Sequence, residues 1–298
     1  MDRLEAMTLV LAVAETGSLA AAARRLNTPV ATASRKVTEL EAHLRSKLFD
    51  RSARKLKLTD AGLSYVAALK RILADLSEAE RAVSGEYESP TGELIVTAPV
   101  GLGRIHVVPI LADFLRSYPD ISVRLVLGDR IFNLADDHID VALRIGVLPD
   151  SRLMALRLGT THRVVCASPA YLAARGTPRT PDELAGHDCI IYEGFQGPYS
   201  WRFVRDEADV AITVQPRLVV STVETACDAA RASIGLTRAF SYHVEAAVEA
   251  GILATVLDAY RPPALPISFV YGAGRFLPIK VRAFLDFASP RLKARLAK

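Results

Sequence analysis

Residues 18–40, SLAAAARRLNTPVATASRKVTEL, constrain the fold of this chain more than any other stretch. Ser18 follows Gly17 and precedes an alanine run, so it caps a helix over 19–26, and alanine is the best helix former. Asn27, Thr28 and Pro29 interrupt that helix with a tight polar turn. Thr28 is expected to cap a second helix with Pro29 at its first position, where a missing N–H costs nothing. In that helix, from about 29 to 44, Val30, Ala33, Val37, Leu40 and Leu44 recur every three or four residues, predicting a buried stripe. The opposite face carries Ala31, Thr32, Ser34, Arg35 and Thr38, small or hydrogen-bonding groups with one long cation. Such a face suits a DNA major groove, because small residues permit close approach and an arginine can bond guanine bidentately. A plain helical hairpin with a solvated basic face is the alternative.

The following segment favours nucleic acid. Leu56 and Leu58 alternate with Lys55 and Lys57, a period of two that predicts a short strand with one dry face. This is a wing-like hairpin whose Arg51, Arg54 and Lys55 can meet phosphates. Residues 1–60 hold 11 Lys and Arg against 7 Asp and Glu, whereas residues 61–298 hold 26 of each. The whole net charge of +4 therefore lies in the first fifth of the chain, where phosphate contacts would be made.

These residues resemble the LysR-type transcriptional regulators. The likeness rests on Met7 with LVLAVAE, Gly17-Ser18, Ala21 to Ala23 with Leu26, Ser34-Arg35, Leu40-Glu41 and Leu44. It continues through Leu48-Phe49 with Arg51, Arg54, and Leu58-Thr59 with Ala61-Gly62. The resemblance implies that Val30, Ala31, Ser34 and Arg35 occupy DNA-contacting positions on the recognition helix, and Arg54 a wing position. Two departures matter. Arg45 stands where the family usually has glycine, so a left-handed backbone there would be strained. Pro29 and Val30 stand where Ser and Gln are common, and Val30 can read a base only by apolar contact, for example with a thymine methyl group.

Thr59 and Asp60 cap a further helix over about 60–85. Val66, Leu69, Leu73, Leu76 and Val83 follow heptad spacing in it, with Glu80 replacing one apolar member. Such a seam packs two copies as a coiled coil or docks the helix on its own chain, and the resemblance favours pairing. Residues 86–92, with Pro90 and Gly92, read as a hinge. The organisation expected is a winged helix-turn-helix head (1–59), a linker and dimerisation helix (60–85), the hinge, and an α/β module over 93–298.

From Glu93 strands alternate with helices, which argues a parallel, helix-flanked sheet. Strands are expected at 94–98, 121–127, 139–146, 163–167, 189–192, 201–204, 210–214 and 267–271. Helices are expected at 102–118 (with Pro109 kinking or breaking it), 169–175, 222–231, 242–250 and 280–287. The resemblance extends here through Pro109 with Phe114 and Tyr118-Pro119, then 140–146 (DVALRIG) and 167–172 (ASPAYL). It also takes in Pro178, Leu184, His187-Asp188-Cys189 and Trp201, and departs at Ser233, where glycine is common. It implies a two-lobed, periplasmic-binding-protein-like α/β effector module, lobe I over about 93–162 and 267–298 and lobe II over about 163–266.

A small molecule would sit between such lobes, where strand ends and helix starts offer N–H groups. Thr97, Ala98, Pro99, Val100 and Gly101 form the first strand-to-helix turn, Arg144 and Gly146 end a strand, and Ser221 and Thr222 precede a helix. These could hold a carboxylate or another anion, or could simply cap and turn, and Arg144 could bridge to an acidic neighbour. Tyr199 and Trp201 suit core or rim.

Catalytic signatures are missing. The six histidines show no metal-ligand spacing, and neither a nucleophile elbow nor a phosphate-cradling loop occurs, so no metal or cofactor is expected. Cys166, Cys189 and Cys227 lie far apart in apolar settings, as buried free thiols do; redox sensing is the minor alternative. No run of about eighteen apolar residues and no signal-peptide pattern appears, so a cytoplasmic protein is expected. The reading is a sequence-specific regulator binding an inverted-repeat operator in double-stranded DNA as a homodimer or homotetramer, modulated by a small-molecule effector, with RNA polymerase as a possible further partner. The alternative is a two-lobed small-molecule-binding protein or enzyme without a DNA role.

Overall fold

The computed structural model describes residues 2–50, 56–84, 89–130, 132–134, 136–149, 152–193, 199–273 and 277–297; within 60–84, side chains are described at 60–70, 72, 73 and 76. The chain forms two compact units, Met1–Glu88 and Ser89–Lys298.

In the first unit, α1 (Arg3–Thr16) starts at Asp2, whose carboxylate accepts from the N–H of Leu4 (3.0 Å) and Glu5 (3.3 Å). Ser18 caps α2 (Leu19–Arg25) by accepting from Ala21 N–H. The next helix, α3 (Val30–Leu44), begins one residue later than the sequence suggests. Thr28 does not cap it: the hydroxyl donates back to the Leu26 carbonyl (3.2 Å), and Pro29 takes the cap position with no side-chain bond. Alanines 22, 23 and 33 are fully buried where the three helices meet Leu9, Val10, Val13, Val37 and Leu40, so the backbones pack closely. Val30 leaves the expected stripe and stands 48% exposed on the outer face, because its place in the first turn of α3 lies beyond the reach of α1 and α2. The helix closes at Arg45 with φ 51°, a left-handed residue bearing the steric cost a side chain brings there.

Two short strands, β1 (Phe49–Asp50) and β2 (Lys57–Leu58), pair antiparallel with Phe49 opposite Leu58. Thr59 then accepts from Gly62 N–H (3.0 Å) as α4 (Asp60–Ser84) begins. Val66 and Leu69 are buried in the core of α1–α3. The first two members of the expected seam therefore face their own head. Leu73 and Leu76 are half-buried, Leu63 and Ile72 are exposed, and the Glu80 and Val83 side chains lie outside the described residues.

The second unit holds two five-stranded sheets. The first contains β3 (Gly92–Ala98), β4 (Ile121–Leu127), β5 (Val141–Ile145), β6 (Leu153–Thr161) and, from the chain's end, Leu265–Gly272, in the order β4-β3-β5-(265–272)-β6. Between β3 and β4 lie α5 (Val100–Leu102), a π-turn (Gly103–Val107) and α6 (Val108–Ser117). Pro109 does not break this run. It cannot donate to the preceding turn, and the Ile105 carbonyl instead accepts from the Arg295 guanidinium (3.1 Å), while the wide π-turn absorbs the misfit.

The second sheet contains β7 (Arg163–Ala167), β8 (Cys189–Tyr192), β11 (Pro216–Val220), β12 (Leu236–Phe240) and β13 (Ala254–Val256), in the order β11-β8-β12-β7-β13. The hairpin β9 (Ser200–Arg205) and β10 (Ala208–Thr213) packs beside it, as do α7 (Pro169–Arg175), α8 (Val223–Arg231) and α9 (Ser241–Glu249). Strand β14 (Leu265–Gly272) returns to the first sheet and α10 (Ile279–Leu296) closes the chain.

Neither sheet is purely parallel, contrary to the expectation from alternating strands and helices. β14 runs antiparallel to β5 and β6, and β7 antiparallel to β12 and β13. Both exceptions are strands that enter from the other sheet, β7 directly from β6 through His162 and β14 after β13, rather than after a helix within one sheet. Helix α10 also continues through Pro290, well past residue 287, because Ala288 and Leu292 are fully buried with Phe114, Phe269 and Phe284 in the core of the first sheet. Ser233 takes a left-handed φ of 64° and its hydroxyl pairs with that of Ser168 at 2.7 Å.

Candidate nucleic-acid interface and effector cleft

The outer face of α3 presents Val30, Ala31, Arg35 and Thr38 to solvent, with Thr32 and Ser34 half-buried between them. Thr38 Oγ1 donates to the Ser34 carbonyl (2.9 Å). The Arg35 guanidinium lies 3.8 Å from the Glu39 carboxylate with both side chains exposed, a pairing weak enough to exchange for a base or phosphate. Lys36 is withdrawn from this face by an ion pair with Glu5. Arg51, Arg54 and Lys55 lie outside the described residues.

Glu41 had no assigned task in the sequence reading, yet it joins α3 to the start of β1. Its buried carboxylate accepts from the N–H of Leu48 (2.9 Å) and Phe49 (3.3 Å) and from Lys47 Nζ (3.0 Å). Burial pushes its pKa up, but the bonds from Lys47, Leu48 and Phe49 outweigh burial and hold it below the usual carboxylate range. A buried Glu one turn before a helix end, followed by Lys and two apolar residues, was the only signal.

In the second unit, the predicted cleft residues are mostly engaged within the protein. Thr97 is buried and donates to the Val126 carbonyl (2.8 Å), and the Ala98 carbonyl accepts from Gly128 N–H (3.0 Å). Pro99 caps α5. The Arg144 guanidinium donates to the Phe132 carbonyl and is half-buried, burial lowering its pKa. Gly146 has φ 113°, and its N–H donates to the Pro266 carbonyl (2.9 Å). Ser221 is exposed, and Thr222 caps α8 by accepting from Thr225 N–H (3.2 Å).

Four residues not singled out beforehand join the two sheets. Asp129 Oδ1 accepts from Val100 N–H (3.1 Å), and Oδ2 accepts from Tyr192 Oη (2.9 Å) at the end of β8. The N–H expected to meet an anionic ligand is thus already met by the chain's own carboxylate. Burial, then the bond to Asp129, pushes the Tyr192 phenol up. Gly101 lies directly against α9: a β-carbon there would fall 2.2 Å from His243 Nε2 and 3.2 Å from Glu224 Oε1. Burial lowers His243 to about 4 despite the nearby Asp129 charge, so its ring is neutral at pH 7. Cys166, Cys189 and Cys227 are free and buried; burial pushes the first two up to about 12 and Cys227 to about 11.

Residues 4–63 match the family described as bacterial regulatory helix-turn-helix protein, lysR family, and residues 88–293 match the LysR substrate binding domain. The chain belongs to the LysR family of transcriptional regulators. A helix-turn-helix DNA-binding domain therefore precedes an effector-binding domain, and LysR-type regulators bind DNA and small-molecule effectors and form oligomers. It is a regulator, not an enzyme.

An HTH-type transcriptional regulator of Xanthomonas campestris is 36% identical to this LysR-type chain, over 94% of it and 83% of the relative. The structure of CrgA, a LysR-type regulator from Neisseria meningitidis, has a TM-score of 0.63 at 30% identity, covering 99% of both chains. The full-length Vibrio cholerae virulence activator AphB has a TM-score of 0.61 at 28% identity, covering 96% of this chain and 98% of that one. Among the described residues, no helix is long and apolar enough to cross a membrane.

Proposed function

We propose that α3 enters the major groove, with Val30, Ala31, Thr32, Ser34, Arg35 and Thr38 facing bases and nearby backbone, while Arg51, Arg54 and Lys55 of the wing meet phosphates. The observation that carries this is the two-sidedness of α3. Ala33, Val37 and Leu40 are wholly buried, and the opposite face is small, exposed or half-buried, and carries one exposed arginine held only by a weak pairing with Glu39. The head spans 1–59. The helix over 60–85 pairs two copies through residues beyond Leu69, since the earlier apolar positions serve the head's own core. Two paired heads would read two half-sites of an inverted repeat, as a dimer or as a tetramer of two such pairs.

The effector sits between the two lobes of 93–298, beside Thr97 to Gly101, Gly146, and Ser221 with Thr222. Arg144 supports that site by holding Phe132. Asp129, Tyr192 and Gly101 hold the lobes together, and a ligand that binds one lobe arrangement better than another shifts the spacing of the heads. The protein acts in the cytoplasm, where its DNA lies, and a contact with RNA polymerase would complete activation.

Footprinting of the DNA upstream of the protein's own gene tests this reading. Two protected half-sites centred one helical turn, or a multiple of it, apart are expected, about 10 base pairs per turn. No preference for any genomic fragment over bulk competitor at moderate salt would overturn it.

A further inference from the structure

A cavity of about 190 Å³ opens between the two lobes, lined by Arg104 and Ile105 of the π-turn, Glu224, Cys227, Asp228 and Arg231 of α8, and His243 of α9. That is the liquid volume of roughly six waters. The four α8 residues fall at i, i+3, i+4 and i+7, so one helix face forms a wall. None of these seven residues was among the sequence candidates.

The lining is divided by charge and depth. On the cavity wall, Cys227 is buried with its thiol protonated, while His243, its ring neutral, and the Glu224 carboxylate are half-buried. Glu224 Oε1 is buried and accepts no hydrogen bond. The side chain as a whole is 24% exposed, but a buried acceptor oxygen without a hydrogen-bond donor is costly, so Oε1 calls for an N–H or ammonium. Arg104 does not meet the need: its Nη1 stays 3.8 Å away, too far for a hydrogen bond, and its side chain is largely exposed. Arg231 is tied to the exposed Asp228 at 2.7 Å. Two guanidiniums thus stand in reach of solvent, with planar forks suited to a carboxylate. Ile105, also exposed, adds an apolar surface to the lining.

We infer that this cavity binds a small zwitterion of amino-acid size, its ammonium bonded to Glu224 and its carboxylate to Arg104 and Arg231. The inference rests on the reading that a small molecule bridges the two lobes, and it names the chemical class. It keeps the ligand beside Gly101, which abuts Glu224 and His243, but replaces the simple anion expected at the start of α5, where Asp129 already meets the Val100 N–H.

Calorimetric titration of the full-length protein with L-alanine, L-serine and γ-aminobutyrate tests it, with n-propylamine and butyrate as probes that each lack one charge. At least one zwitterion should bind saturably, at least tenfold tighter than either single-charge probe. Glu224→Gln should weaken that binding at least tenfold. Arg104→Ala, at an exposed position that leaves folding intact, should lower affinity for the zwitterion and leave that for n-propylamine unchanged. Butyrate binding as tightly as the zwitterions, an unchanged affinity in both variants, or no saturable binding by any of the three would overturn the inference. If footprints nevertheless respond to a compound of another class, the regulator reading stands and only the zwitterion assignment falls.

Discussion

Replacing Glu41 with alanine tests how the recognition helix and the wing are held together. The carboxylate accepts from two backbone N–H groups in a buried setting, those of Leu48 and Phe49. Each donor left without an acceptor costs about 1–3 kcal/mol, which puts the pair at about 2–6 kcal/mol. Lys47 adds little, because its side chain is 71% exposed and an exposed ion pair contributes about 0–1 kcal/mol. Alanine's better helix propensity returns only a few tenths. A net loss of about 3 kcal/mol in the first unit is therefore expected for Glu41→Ala. Glu41→Gln keeps one acceptor oxygen and should lose about 1 kcal/mol. Urea unfolding followed by circular dichroism, combined with hydrogen exchange across 45–58, separates this local effect from the second unit. Since the folded Glu41 pKa lies below the ordinary value of 4.5, its contribution is complete above that pH and disappears as pH falls through the folded value. A loss under 1 kcal/mol in Glu41→Ala, with exchange at Leu48 and Phe49 unchanged, would refute this account of the wing's anchorage.

Further outcomes follow from single positions. Arg45→Gly should stabilise the head by about 0.5–1 kcal/mol in the same urea assay, because glycine tolerates the φ of 51° that strains arginine. Burial lowers His243 from 6.5 to about 4, so protonation favours the unfolded chain. Stability of the second unit should fall as pH drops from 6.5 toward 4, by about 3 kcal/mol at the lower end, and His243→Gln should flatten that decline in thermal unfolding. With thiol pKa values of about 11 and 12, Cys166, Cys189 and Cys227 should resist a disulfide reagent at pH 7.5 in the native protein. All three should react once the protein is unfolded; rapid native reaction would reopen a redox role.

How much was legible in the sequence differs by element. Caps with local hydrogen bonds were readable, as Ser18 and Thr59 show. Thr28 misled because its hydroxyl had a competing acceptor within the turn, at Leu26. Val30 fitted the helical period, but among the described residues nothing buries it and it stands 48% exposed. Arg45 and Ser233, noticed as departures from glycine, both take left-handed backbones. The strands β6, β11, β12 and β13 went unread; β6 and β12 lack a clean alternation, and β11 alternates only between half-buried and exposed positions. Helix α10 outran Pro290 because burial of Leu292 outweighs the lost hydrogen bond.

The candidate sites divide in the same way. The exposed face of α3 could be read from periodicity within one helix. The Asp129–Tyr192 bond spans 63 residues, and the approach of Gly101 to His243 and Glu224 exists only once two sheets meet. No local pattern encodes such a juxtaposition. Glu41 is intermediate: its partners lie six to eight residues away, near enough to suspect but beyond the reach of helical periodicity.

The most direct test of the central claim, that α3 reads base sequence through its exposed face, is the specificity ratio of Arg35→Ala. Fluorescence anisotropy would measure affinity for a footprinted operator and for random duplex at one fixed salt concentration. The wild-type protein should prefer the operator by about a thousandfold or more. Arg35→Ala should cut that ratio by about 5- to 150-fold, the equivalent of a lost base contact worth about 1–3 kcal/mol, with random-DNA affinity nearly unchanged. Equal weakening on both duplexes, or an unaltered ratio, would contradict it.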